Sequence, residues 1–352
     1  MLRTLPLIAS LVLLGCGTPE GITECETVAG LEPICGFQNP EDLARVPDSR
    51  ALLVSQYGTM DGSRPGSLAR YDAATGERRV LFEGADAASG KPTPAWGEAD
   101  CPGPPGAAFA PHGIHLDRRS DGALQLLVVN HGGRESIEFF EVAAGGKSVR
   151  WRGCALPPDD AYINSVVATP EGGFLATHMY PRTSAVGALA GLIGRDTGTV
   201  LEWSPDGSWA VVPGTDAPFP NGIELSPDGK TIYLNAYLAD EVRMIDRETG
   251  ELRATAPVAS PDNTRWSADG SRLLVASHTG PFLEMMRCQR TEEGACPLAF
   301  EIVALDPDSL ARETVLAHEG PPMGAATVAL DMDGQLYLGS FKGDRLLRLP
   351  YP

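Results

Sequence analysis

Six times between Val46 and Gly334 the chain repeats one punctuation, a short turn carrying an acidic residue followed by an apolar, β-rich run. The turns are Val46-Pro47-Asp48-Ser49, Arg119-Ser120-Asp121-Gly122, Thr169-Pro170-Glu171-Gly172, Ser226-Pro227-Asp228-Gly229, Ser267-Ala268-Asp269-Gly270 and Asp331-Met332-Asp333-Gly334. The runs after them include Ala51-Leu52-Leu53-Val54, Thr231-Ile232-Tyr233-Leu234 and Gln335-Leu336-Tyr337-Leu338. Successive turn acids lie 73, 50, 57, 41 and 64 residues apart. Strand-only repeats of that length predict four-stranded blades, hence an all-β, six-bladed β-propeller in one domain. The 40 Gly and 30 Pro suit many short strands and tight turns, and no ten-residue amphipathic helix pattern stands out. The Pro- and Gly-rich insertions 85–111 and 181–198 are expected as loops over one face.

In a propeller the innermost strand of each blade starts near the central channel, so residues at one phase of the repeat meet there. Seven positions before each turn acid stand Glu41, Ile114, Asn164, Asn221, Asp262 and Ala326, with Asp42 and Asn263 one place further on. Four of the six carry side-chain oxygens and none is basic. Each alone reads equally as a strand-entry residue bonding its own backbone. Together, two carboxylates on one axis repel unless a cation lies between them. Carboxylate and amide oxygens without cysteine suit a hard ion, Ca²⁺ best of all.

His112 and His131 stand at the open ends of a hairpin turned at Asp121-Gly122. A two-residue turn pairs positions summing to 243, which sets the two histidines directly opposite each other, where they can relay a proton. The bland alternative is one strand cap and one packed core histidine.

The start of the chain is a separate segment. Met1-Leu2-Arg3, an apolar run from Leu5 to Leu14 and Leu13-Leu14-Gly15-Cys16 read as a secretory signal, too short to span a bilayer of about 20 residues. Leu-Leu-Gly-Cys resembles the lipobox of bacterial lipoproteins. It predicts a signal peptide over 1–15, lipidation of Cys16, a tether over 16–36 and the propeller over 37–352. The expected location is the outer membrane or cell surface, with the lipid as the only membrane contact. Export leaves six cysteines able to pair in an oxidising compartment. Cys25 with Cys35 and Cys288 with Cys296 close short loops, leaving Cys101 with Cys154, one of about fifteen connectivities. A net charge of −18 excludes nucleic acid as a partner and favours cations or neutral substrates.

Asn39-Pro40-Glu41-Asp42-Leu43, His112-Gly113-Ile114, Val129-Asn130-His131, Ile163-Asn164, Phe219-Pro220-Asn221-Gly222-Ile223, Ser226-Pro227-Asp228-Gly229-Lys230 and Asp262-Asn263 together resemble the paraoxonase and arylesterase family, in order along nearly the whole mature chain. The resemblance implies a calcium-dependent hydrolase of neutral lactones, with aryl esters as side substrates. It implies Glu41, Asn164, Asn221, Asp262 and Asn263 around a catalytic calcium, His112 as general base and His131 as its proton relay. Phe219, His278 and His178 match or lie near positions of the family's pocket. A second, buried calcium is held in the family by the acid matching Asp42, the carbonyl of Ile114 and an aspartate; this chain has Ser165 there, which weakens that site. Rival readings are a gluconolactonase-type sugar lactonase, which uses a similar ring around one ion, and a non-catalytic ligand-binding surface propeller. Strictosidine-synthase-like propellers fit less well, lacking the ring, and no G-x-S-x-G elbow marks a serine nucleophile.

Overall fold

The computed structural model describes residues 20–59, 62–84, 90–184 and 190–351; the expected signal peptide and Cys16 lie outside them. The period-two apolar runs form strands, and the described chain builds six four-stranded antiparallel sheets around one axis, a six-bladed β-propeller. The inner strands are Pro40–Arg45, Pro111–Arg118, Ile163–Ala168, Pro220–Leu225, Pro261–Trp266 and Ala326–Met332. Each packs against the inner strands of both neighbouring blades, so the six close a ring. The acidic turns all lie at one end of that ring. The expected site residues lie at the other, where each inner strand begins.

The apolar core is divided among the six blade interfaces, with one buried cluster between each neighbouring pair. Between the second and third blades, for example, Leu127, Val129 and Phe139 meet Ile163, Phe174 and Trp203. Area buried on both faces of every sheet fixes the blade angles, and with them the channel.

The first residues correct one expectation. Glu32–Cys35 is the outermost strand of the sixth blade, paired antiparallel with the final strand Arg345–Pro350. An unpaired edge of backbone N–H and C=O groups is a liability, and the start of the chain covers it. The segment belongs to the propeller rather than to a free tether. Buried Arg345 fastens it by donating to the carbonyls of Ile22 (2.8 Å) and Pro322 (3.1 Å). Three disulfides join Cys25 to Cys35, Cys101 to Cys154 and Cys288 to Cys296. One seven-residue helix, Phe282–Cys288, sits in the connection that the last of these closes.

One irregularity recurs in every blade. In the second blade Ile114 pairs with Val128 but Pro111 pairs with Asn130, so His112 and Gly113 together oppose Val129. The same register shift falls at Glu41, Asn164–Ser165, Asn221–Gly222, Asp262–Asn263 and Thr327. These are β-bulges, which re-aim side chains and free a backbone amide. Second-strand hydroxyls take up that amide: Asp42 N–H donates to Ser55 Oγ (3.0 Å) and Ser165 N–H to Thr177 Oγ1 (2.9 Å).

The second-blade hairpin differs from its expected register. Its pairs sum to 242, as in His115 with Leu127. A three-residue loop closed by Gly122 at φ 87° replaces the two-residue turn, and Arg119 N–H donates to Ala123 O at 2.9 Å. His112 and His131 are therefore not cross-strand partners.

Candidate active site at the channel mouth

The bulged ends of four inner strands bring Glu41, Asn164, Asn221, Asp262 and Asn263 to one mouth of the channel, all buried. Two bulges need glycine beside them. A Cβ at Gly113 would lie 2.5 Å from the backbone oxygen of Asn164, and one at Gly222 2.2 Å from that of Asp262, so each glycine admits the next blade's bulge. Among the described residues no three His, Cys, Asp or Glu side chains are grouped so as to hold a metal ion by themselves, so the set is two carboxylates supplemented by amides.

These oxygens lack partners. Glu41 Oε2, Asn221 Oδ1, Asp262 Oδ1 and Asn263 Oδ1 are buried and accept no hydrogen bond. Burial, then the charges of Asp262 and Asp42, push the Glu41 carboxyl well above the carboxylate range, against a hydrogen bond from Asn263. Burial and then the Asp42 charge raise Asp262, against a hydrogen bond from Asn221. A buried anion without a counter-charge is costly, and four orphaned oxygens in one place are rare. The residues fit a hard divalent cation at this mouth.

His112 stands beside the set, its Nε2 3.6 Å from Glu41 Oε1. The rings of His112 and His131 lie 5.0 Å apart, because the His112–Gly113 bulge swings the first ring toward the second. Burial, then the neighbouring His131, lowers the His112 pKa well below 6.5, while a backbone hydrogen bond at Asn164 acts the other way. His131 Nδ1 lies 3.0 and 3.1 Å from the two carboxylate oxygens of Glu135, which also accepts from Ile163 N–H at 2.7 Å. His131 Nε2 and His112 Nδ1 remain unpartnered.

An aromatic collar surrounds the mouth. Tyr57 lies 5.1 Å from His112; His131 meets Tyr162 (4.7 Å), which meets Tyr180 (5.3 Å), then Phe219 (5.4 Å), Tyr237 (5.7 Å), His278 (5.9 Å) and Phe341 (5.6 Å). His278 Nδ1 is 2.9 Å from the Tyr237 hydroxyl and its Nε2 3.8 Å from Asp262 Oδ2; burial lowers its pKa to about 4. His178 stands behind this wall, accepting from Tyr162 N–H at 3.1 Å. Glu135 and most of the collar escaped the sequence reading. A signal was present, since Tyr57, His131, Tyr237 and Phe341 each follow directly on the second strand of a blade.

The expected second cation position differs. Asp42 and Ile114 do come together in the channel wall, Ile114 N–H donating to Asp42 Oδ2 (2.8 Å), and Ser165 lies on the next blade's bulge beside Gly113, but the guanidinium of Arg265 from the fifth blade is bonded to Asp42 and to Ile114 O. These residues do not fit a second metal ion. A separate cavity of about 680 Å³, lined by His115, Asp117, Glu224, Trp203 and Trp266 among others, opens at the far end beside the acidic turns. It contains neither the histidine pair nor the orphaned oxygens.

Fold and site define a class, the six-bladed propeller with a carboxylate–amide set and an imidazole pair at one channel mouth. The sequence model of the arylesterase family matches residues 84–346, and the chain belongs to that family. Serum paraoxonase/arylesterase 1 of Mus musculus is 25% identical over 340 residues, covering 92% of this chain and 88% of the relative. The Homo sapiens protein of that name is 24% identical over 337 residues, covering 92% and 87%. Among solved structures, a gluconolactonase from Xanthomonas campestris superposes with a TM-score of 0.55 at 17% identity, over 95% of this chain and 98% of its own. A calcium-binding regucalcin from Agrobacterium tumefaciens superposes with a TM-score of 0.52 at 14% identity, over 90% and 91%. At family level the chain is a hydrolase of the arylesterase kind.

Proposed function

We propose that this protein opens neutral lactones with water at the channel mouth, using one bound Ca²⁺, with aryl esters as secondary substrates. The observation that carries the reading is the group of orphaned buried oxygens on Glu41, Asn221, Asp262 and Asn263 beside the His112–His131 pair. Asn164, from the adjoining bulge, completes the ligand set. A calcium ion held there supplies Lewis-acid polarisation of a carbonyl.

The protein's own groups handle the proton. His112, held neutral by burial, takes a proton from the attacking water and passes it to His131. Glu135 accepts from His131 Nδ1–H, which leaves the Nε2 lone pair as the receiving site and stabilises the imidazolium that forms. Glu135 is thus a positioning residue. The collar of Phe219, Tyr237 and Tyr180 offers flat apolar faces to an uncharged ring and excludes water from it. A net charge of −18 disfavours anionic substrates.

The test is turnover of a γ- and δ-lactone panel, glucono-δ-lactone included, by wild type and His112→Ala. An enzyme of this kind loses turnover in His112→Ala while keeping its calcium; equal turnover by both proteins refutes the assignment. Export as a lipoprotein through Cys16, with the propeller outside the membrane, belongs to the same reading. Cys16→Ser then moves the protein from the membrane fraction to the soluble one, and unchanged fractionation refutes the anchor.

A further inference from the structure

Below the candidate ligand set, the channel wall already contains a cation. Arg265, on the inner strand of the fifth blade, is buried, with a side chain 8% exposed, and Asp42 from the first blade is fully enclosed. The guanidinium reaches across the channel. Its Nη2 donates to Asp42 Oδ2 and to Ile114 O (2.8 Å), its Nη1 to Thr264 O (2.8 Å), and its Nε to Leu43 O (3.3 Å). Asp42 is otherwise satisfied by Ile114 N–H (2.8 Å) and Leu43 N–H (2.8 Å). Three blades, the first, second and fifth, thus meet on one planar fork.

A buried carboxylate flanked by backbone carbonyls is the donor set of a hard metal ion. Here one guanidinium nitrogen takes both the Asp42 oxygen and the Ile114 carbonyl. A divalent ion at the same oxygens would have to displace that nitrogen and lie against a charge that cannot be shed, because arginine stays protonated. The negative charge of Asp42 is paired directly with Arg265, whose charge also reaches the buried Glu224. Ser165, which adds only an unpartnered neutral hydroxyl, supplies no second carboxylate to hold a larger charge.

We propose that Arg265 is the resident cation of the lower channel, standing in place of a metal ion, so that the central ring is tied together there without metal. The inference does not depend on whether the upper ligand set binds calcium. Its test is the number of ions per chain on the full mature protein, equilibrated with CaCl₂, freed of unbound ion by gel filtration and measured by mass spectrometry. Wild type retains no more than one ion and Glu41→Gln retains none. Two ions in wild type, or one kept by Glu41→Gln, overturns the proposal. None in wild type leaves it standing while refuting the calcium reading of the upper set. A second measurement is thermal unfolding of Arg265→Gly in EDTA. The expected midpoint is several degrees below wild type and is partly restored by millimolar CaCl₂, which the vacated Asp42 now attracts. A midpoint in EDTA equal to wild type overturns the role of the guanidinium. Should Arg265→Gly not fold, the ion counts on wild type and Glu41→Gln decide.

Discussion

Replacing Glu135 by glutamine tests the relay most sharply, because it changes the chemistry at His131 and otherwise loses one ion pair, that of Glu135 Oε2 with the exposed Arg182 (3.7 Å). The carboxylate lies 3.0 and 3.1 Å from His131 Nδ1, and both side chains are only 7% exposed. Glutamine keeps the size and, through its carbonyl oxygen, the hydrogen bond from Ile163 N–H. Its NH₂ group then faces Nδ1, which drives the imidazole proton to Nε2 and removes the lone pair that should receive the proton from His112. The charge that stabilises the imidazolium is lost as well. A hydrogen bond to a charged group contributes about 1.5–3 kcal/mol, and about 1.4 kcal/mol is tenfold in rate. The expected loss in kcat is therefore about 10- to 150-fold, with KM and calcium affinity close to wild type and partial recovery in Glu135→Asp. Steady-state kinetics and calcium titration on the same preparations read the outcome. A loss below threefold, or a KM effect without one on kcat, would show that Glu135 does not act through His131.

Two further variants probe the scaffold. Burial, opposed by Arg265 and the Leu225 N–H, raises the Glu224 pKa from 4.5 to about 7. The unfolded chain therefore loses this proton at lower pH than the folded one, so stability falls as pH rises from about 4.5 to 7 and stays reduced above it, by up to about 3 kcal/mol. Glu224→Gln should flatten that decline in chemical-denaturation midpoints between pH 5 and 8; an unchanged slope contradicts the assignment. Gly222→Ala places a Cβ 2.2 Å from Asp262 O and should cost about 1–3 kcal/mol while weakening calcium binding, since Asn221 and Asp262 move apart. Unfolding midpoints and calcium titration check both effects, and wild-type values in both would refute the close-approach argument.

How much was legible in the sequence follows from how local each determinant is. The six acidic turns are local, and they marked the inner hairpin of every blade. The phase of Glu41, Asn164, Asn221 and Asp262 was legible because the bulge falls at one place in the repeat, seven residues before each turn acid. The bulge itself was not, because register depends on pairing with the next strand, and so His112 and His131 were set opposite by the wrong geometry. Arg265 was invisible for a further reason. One arginine within a strand reads as solvent-facing, and only ring closure brings it onto Asp42, 223 residues away. Glu32–Cys35 likewise reads as a polar leader until the last strand supplies an edge for it. The collar followed a recurring phase, the residue after each second strand, that motif reading passed over.

The activity proposed for this protein is calcium-dependent lactone hydrolysis at the His112 mouth. Its most direct measurement is the initial rate on a small γ- and δ-lactone panel by the mature protein as purified, after EDTA, and with CaCl₂ restored. The expected result is turnover that EDTA abolishes and calcium returns. No turnover by a folded, calcium-loaded protein, or turnover indifferent to EDTA, contradicts it.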